Sequence, residues 1–181
     1  MKITETAVPG VLVIEPRVFA DDRGFFLEAF HAERYAAAGI PSTWVQDNLS
    51  HSKCGTVRGL HFQEPNGQGK LVQVTRGEVY DVAVDIRRGS PTFGRWVGVT
   101  LTGHAPKQMF IPAGFAHGFC VLSETADFWY KCTTLYSPTS ERAIRWNDPA
   151  LGIEWPVKQP LLSKKDAEAP LLADAPVLPT Y

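Results

Sequence analysis

The chain has 181 residues, 44% of them hydrophobic, and 18 Lys and Arg nearly balance 19 Asp and Glu to leave a net charge of −1. The length fits one domain, since domains commonly run to about 100–200 residues, and is enough to bury a core without disulfides or metals. The charge balance excludes a protein that coats nucleic acid by bulk positive potential. Cys54, Cys120 and Cys132 are odd in number and form no CxxC pair. They read as reduced thiols of a soluble cytoplasmic protein rather than as a secreted disulfide framework.

Taken in chain order, the apolar stretch Val8 to Ile14 is short, follows Glu5 and contains Pro9 and Gly10, so it does not read as a signal peptide. HAERYAAAG predicts a short helix ended by Gly39, with Pro41 beyond it. KLVQVT then opens a run of short strands. In GEVYDVAVDI, alternation puts Tyr80, Val82, Val84 and Ile86 on one face and Val79, Asp81, Ala83 and Asp85 on the other. RWVGVTL places Val97, Val99 and Leu101 together, and KQMFIP and HGFCVLS follow. The longest uncharged stretch, Met109 to Ser123, carries Pro112, Gly114, His117 and Gly118. It is no membrane span, which needs about 20 mostly apolar residues. DFWYKCTTLY predicts a strand with Phe128, Tyr130, Cys132, Thr134 and Tyr136 on one face. SKKDAEA predicts a second short helix with Ser163 as N-cap and Asp166 three residues on, and APLLADAPVLPTY an extended tail, packed on the surface or loosely ordered. Gly and Pro, 15 and 14 in number, punctuate these elements. The pattern predicts one all-β domain over 1–181, a jelly-roll barrel or sandwich with a few short helices. Its core covers about 45–140, and the short helix and tail cover about 160–181.

Polar and ionisable side chains gather in four segments, 21–30, 45–63, 69–77 and 111–119. A strand carrying His-x-His, followed later by Pro-x-Gly-x-x-His, is the metal signature of cupin barrels. Pro112, Gly114 and His117 fit its second half, but the first half reads His61-Phe62-Gln63. Gln63 is a poor ligand for a divalent transition metal beside imidazole or carboxylate. The expectation is a cupin-like barrel with no metal and no cofactor, in which His61 is free to act as a base.

Seven segments in order resemble the dTDP-4-dehydrorhamnose 3,5-epimerase family: DDRGFFLEAF, QDNLSHSKCGTVRGLHFQ, KLVQVTRGEVYDVAVDIRRGSPTFG, IPAGFAHGF, YKCTTLYSP, WNDPALGIEWP and LLSKKDA, spanning Asp21 to Ala167. The resemblance implies a cupin-like jelly roll, a homodimer and no cofactor. It implies inversion at C3 and C5 of dTDP-4-dehydro-6-deoxy-D-glucose, giving dTDP-4-dehydro-L-rhamnose, with no nucleic-acid or membrane partner. Both carbons lie alpha to the C4 ketone. A base removes a proton, the charge moves to the ketone oxygen, and an acid returns a proton on the opposite face. Such chemistry needs a base, an acid and a positive group near the oxygen.

By the same resemblance His61 is the base and Asp166 orients it. Read without the family, Asp166 is a capping residue paired with Ser163. Tyr130 is implied as the acid, a phenol that is protonated at neutral pH. Lys70 is implied to stabilise the oxyanion, and Tyr136 to stack on the thymine. Arg23, Arg58 and Lys165 match diphosphate or nucleotide contacts. Glu28, Gln46, Asp47, Asn48, His117 and Glu141 match other substrate-binding positions, and Arg23 and Glu28 are candidates to reach across the dimer. On a straight strand Arg58 and His61 would face opposite ways, so either Gly59 marks a bulge or Arg58 sits in the loop before the strand, and an irregularity at Gly59 is expected. The alternative activity is epimerisation at C3 only or C5 only of a related dTDP-4-keto sugar.

Overall fold

A computed structural model describes residues 1–181. Thirteen strands follow one another: β1 (Lys2–Glu5), β2 (Leu12–Glu15), β3 (Val18–Asp21), β4 (Gly24–Leu27), β5 (Gln46–Lys53), β6 (Val57–Gln63), β7 (Lys70–Arg76), β8 (Glu78–Asp85), β9 (Trp96–Thr102), β10 (Gln108–Ile111), β11 (Phe115–Val121), β12 (Thr125–Cys132) and β13 (Glu141–Ala143). Helix is confined to α1 (Ala32–Ala36), α2 (Lys164–Ala167) and one 3-10 turn at Leu172–Asp174. No helix is long and apolar enough to cross a membrane.

The strands form two main sheets. One has six strands in the order β1-β2-β10-β7-β12-β5, the other five in the order β13-β6-β11-β8-β9, and β3 and β4 make a separate hairpin. Every pairing between these strands is antiparallel. Two facing antiparallel sheets of this kind are the all-β jelly-roll sandwich expected from the alternation.

The alternation of β8 explains how its sheet is buried on both sides. Val79 and Ala83 join Val72, Val74, Leu101, Met109, Phe119 and Phe128 in the core between the sheets. Val82, Val84 and Ile86 turn the other way and pack with Leu60, Ala116, Ile144, Leu151 and Leu172 beneath the C-terminal segment. The six-stranded sheet is covered on its outer side by Tyr35 of α1 and Ile40, which pack on Ile14, Leu71 and Phe110. Each buried side chain of this size stabilises the fold by about 1.5–3 kcal/mol.

The tail is packed rather than loose. Leu172 and Ala175 are buried, and Thr180 bridges to Arg88. The Arg87 guanidinium lies between the Phe115 ring at 4.6 Å and the Tyr181 ring at 4.7 Å. One expectation fails. β12 ends at Cys132, so Thr134 and Tyr136 do not continue the face of Phe128 and Tyr130. Thr133 is drawn into the loop before β7, where its Oγ1 accepts from the Gly69 N–H at 2.9 Å and its own N–H donates to Gly69 O at 3.0 Å. Thr134 Oγ1 donates to Gly67 O at 3.1 Å. These bonds to a loop replace the ladder, and strand parity stops with it.

Candidate active site

A small cavity of about 150 Å³ opens between the two sheets, lined by Ser50, Arg58, His61, Lys70, His117, Phe119, Phe128 and Tyr130. His61, Arg58, His117 and Phe119 come from β6 and β11 of the five-stranded sheet. Ser50, Lys70, Phe128 and Tyr130 come from β5, β7 and β12 of the six-stranded sheet. The imidazole of His61 and the phenol of Tyr130 therefore reach the cavity from opposite walls.

Arg58 and His61 share the cavity because β6 bulges at Gly59. Opposite β11, His117 pairs with His61 but Phe119 pairs with Arg58, so β6 spends one extra residue there. Gly59 has φ of +125°. A Cβ at Gly59 would stand 2.5 Å from Gly118 Cα and 2.7 Å from His117 O, so two glycines permit the close approach. The Gly59–Leu60 and Glu64–Pro65 peptide bonds are cis.

His61 Nε2 bonds Asp166 Oδ1 at 2.5 Å. Asp166 is buried, and this contact uses Nε2 and leaves Nδ1 for another partner. The cap and the pair coexist: the Asp166 backbone N–H donates to Ser163 Oγ at 3.1 Å while the carboxylate points to His61. Burial would raise the Asp166 carboxyl, but the His61 hydrogen bond and charge, with Ser163 and Lys165, outweigh it and hold the pKa below the ordinary value.

Burial, with Cys132 and Glu141 adding and Arg58 opposing, pushes the Tyr130 phenol above its usual 10. Its proton is therefore held firmly at neutral pH. Burial pulls the Lys70 ammonium down, against the attraction of Cys132, Asp81 and Glu141. Burial likewise lowers His117 against the pull of Asp81, whose carboxylate receives His117 Nε2 at 2.9 Å. Arg58 Nε donates to Ser52 Oγ at 3.0 Å. Phe119 and Phe128 stack across the gap with centroids 4.2 Å apart, and His117 lies over Phe128 at 5.9 Å.

Beside the cavity, Lys165 reaches Glu141 Oε2 at 2.5 Å, and the Tyr136 hydroxyl donates to the same oxygen at 2.8 Å. These two bonds outweigh burial and hold Glu141 below the ordinary carboxylate range. Tyr136 is 50% exposed, and its backbone N–H donates to Gln46 Oε1. Gln46 Nε2 in turn bonds Asn48 Oδ1 at 2.9 Å, and Asp47 pairs outward with Lys131. Arg23 and Glu28 are not brought to the cavity. Arg23 sits on the β3–β4 hairpin, its side chain 90% exposed and paired with Asp21, and Glu28 pairs with Arg34.

Gln63, at the position of the second cupin His, is held by loop backbone. Its Nε2 donates to Asn66 O and Leu135 O, and its Oε1 accepts from the Ser137 N–H. No three His, Cys, Asp or Glu side chains converge as a metal-ligand set. Sequence reasoning did not single out Asp81 or Ser50. Asp81 did carry a signal, a carboxylate on the inward face of β8 between Val79 and Ala83.

A jelly roll that sets a His–Asp pair against a tyrosine and a buried lysine across one cavity is built for acid–base chemistry on a small ring-sized ligand. The chain belongs to the dTDP-4-dehydrorhamnose 3,5-epimerase family, whose family model matches residues 5–174. It is 56% identical over 181 residues to the dTDP-4-dehydrorhamnose 3,5-epimerase of Pseudomonas aeruginosa, covering 99% of this chain and 100% of that one. A solved 3,5-epimerase from Legionella pneumophila, in complex with dTDP-4-keto-L-rhamnose, superposes with a TM-score of 0.96 at 55% identity, covering 99% of this chain and 98% of that one. The dTDP-4-dehydrorhamnose 3-epimerase of Streptomyces niveus is 44% identical over 186 residues, covering 100% of this chain and 90% of its own.

Proposed function

We propose that this chain inverts C3 and C5 of dTDP-4-dehydro-6-deoxy-D-glucose to give dTDP-4-dehydro-L-rhamnose. The observation that carries the reading is the placement of His61 and Tyr130 on opposite walls of one cavity, in a chain of this family. A hexose ring held between the walls meets a base on one face and an acid on the other, as inversion requires. His61 takes the proton alpha to the ketone, and the carboxylate of Asp166 stabilises the imidazolium that forms. Lys70 carries its positive charge to the C4 oxygen, where the interaction strengthens as the enolate develops. Tyr130, whose proton burial retains, delivers it to the opposite face. The same steps serve each carbon in turn.

Arg58 and His117 bind the sugar diphosphate end within the cavity. Gln46, Asp47, Asn48, Tyr136, Glu141 and Lys165 bind the nucleotide beside it, Tyr136 by stacking its exposed ring on thymine. Arg23 and Glu28 act in the site of a second copy. The β3–β4 hairpin supports this reading, because it leaves Phe19, Phe25 and Phe26 exposed at 48%, 58% and 69%, and exposed apolar patches mark interaction sites.

Incubation with dTDP-4-keto-6-deoxyglucose in heavy water, read by NMR, tests the assignment. Deuterium at both C3 and C5 and an L-configured product are expected; no exchange at either carbon refutes it. The likeness to the Streptomyces niveus 3-epimerase favours one second reading, in which exchange is confined to C3.

A further inference from the structure

The inward row of β5 is polar throughout: Gln46, Asn48, Ser50 and Ser52 alternate with exposed Asp47, Leu49, His51 and Lys53. Three of the four spend their polar atoms on the protein. Gln46 accepts from the Tyr136 N–H and donates to Asn48. Asn48 Nδ2 lies 3.6 Å from Cys132 Sγ. Ser52 Oγ accepts from Arg58 Nε. Ser50 alone differs. Its Oγ is buried and has no hydrogen-bond partner in the chain. It nevertheless belongs to the wall of the catalytic cavity, where its strand neighbour is Phe128. A buried hydroxyl left unpaired loses its hydration without compensation, and the phenyl rings of Phe119 and Phe128 beside it offer no partner. An alanine would fill the same place on the strand at no such cost.

We infer that Ser50 is a substrate-binding residue whose hydroxyl pairs with a ring hydroxyl of the hexose on the Tyr130 side of the cavity. The inference rests on the epimerase reading for the identity of the sugar. Ser50 stands on the sheet that carries Tyr130, at the register of Phe128, two residues along from that of Tyr130. His61, on the opposite wall, addresses the other face of the ring. A small hydroxyl beside aromatic rings suits a hexose, which offers apolar C–H faces and hydroxyl edges together. Binding then gives the Ser50 hydroxyl the partner that the chain does not supply. Sites that hydrogen-bond a ligand hydroxyl gain their selectivity in this way, because either partner alone is left unpaired.

The test compares wild type with Ser50→Ala and Ser50→Cys. The cysteine fills the space with a group that hydrogen-bonds weakly, and it serves as the second variant should the alanine fold poorly. In both variants kcat/KM for dTDP-4-keto-6-deoxyglucose is expected to fall about tenfold, equivalent to about 1.4 kcal/mol. Affinity for dTDP alone, measured by calorimetry, is expected to stay within twofold, and the melting temperature to hold or rise. Affinity for dTDP-glucose relative to dTDP should fall by a similar factor, which reads the contact without turnover. An unchanged kcat/KM and an unchanged dTDP-glucose to dTDP ratio would overturn the inference. So would a parallel loss of dTDP affinity, or a lowered melting temperature that accounts for the lost activity. A wild type that exchanges no protons refutes the epimerase reading instead, and the dTDP-glucose ratio then still decides the role of Ser50.

Discussion

Replacing Gly59 by Ala strikes the point where local backbone, sheet pairing and the site meet. Gly59 has φ of +125°, a region in which an L side chain is strained by about 1–3 kcal/mol. The added Cβ would also stand 2.5 Å from Gly118 Cα and 2.7 Å from His117 O, both main-chain atoms of β11. Neither can swing aside as the end of a long side chain would, so the strands must part. Overpacking of that kind costs about 1–3 kcal/mol, and the two effects together reach about 2–6 kcal/mol. That is a large share of the roughly 5–15 kcal/mol by which domains are stable. The displaced strand carries Arg58 and His61, and its neighbour carries His117. A shift near 1 Å at a catalytic group costs about 100-fold in rate. Urea unfolding followed by fluorescence, with kcat measured well below the midpoint, separates the two effects. A loss of less than about 1 kcal/mol with kcat within threefold of wild type would refute the claim that the glycine pair sets the spacing of β6 and β11.

Tyr130→Phe should lower kcat by about 100- to 10,000-fold, the usual worth of a positioned acid, with dTDP affinity measured by calorimetry unchanged. For Asp166, whose folded pKa is depressed, the stabilising contribution is full above the unfolded value near 3.9 and is lost as pH falls through the lower folded value. Asp166→Asn should therefore lower kcat at neutral pH and flatten the loss of stability below about pH 4, read by thermal melts across pH. Asp85 lies fully buried and accepts from Arg87, Ser90 and Thr92. Burial would raise its pKa, but those bonds prevail and lower it. It follows the same sign, and Asp85→Ala, which strips a buried charge from Arg87, should cost about 3–5 kcal/mol in urea titrations at pH 7.

The strands of the barrel core were legible because their alternation is strong. In β8 the two faces read from Tyr80 to Ile86 are the two faces that pack. The bulge at Gly59 was partly legible, since Arg58 and His61 could share a cavity only through a bulge there or with Arg58 in the loop before the strand, and the pairing with β11 shows the bulge. Other parts needed the third dimension. β1 and β2 are four residues each, too short for a period to declare itself, and they extend the six-stranded sheet only by pairing with β10. The end of β12 was hidden because Thr133 and Thr134 suit a strand by composition, while their bonds go to Gly69 and Gly67 more than sixty positions away. Ser50 was invisible for a related reason. A serine in an alternating strand carries no mark of whether its hydroxyl has a partner.

The stacked Phe119 and Phe128 rings give the cavity a fixed gauge. One ring belongs to each sheet, and their 4.2 Å separation holds apart the walls that carry His61 and Tyr130. Part of the spacing between the walls that carry His61 and Tyr130 thus rests on two side chains with no ionisable group. The thickness of the ring the site accepts can change by repacking that pair, while the reacting groups stay as they are.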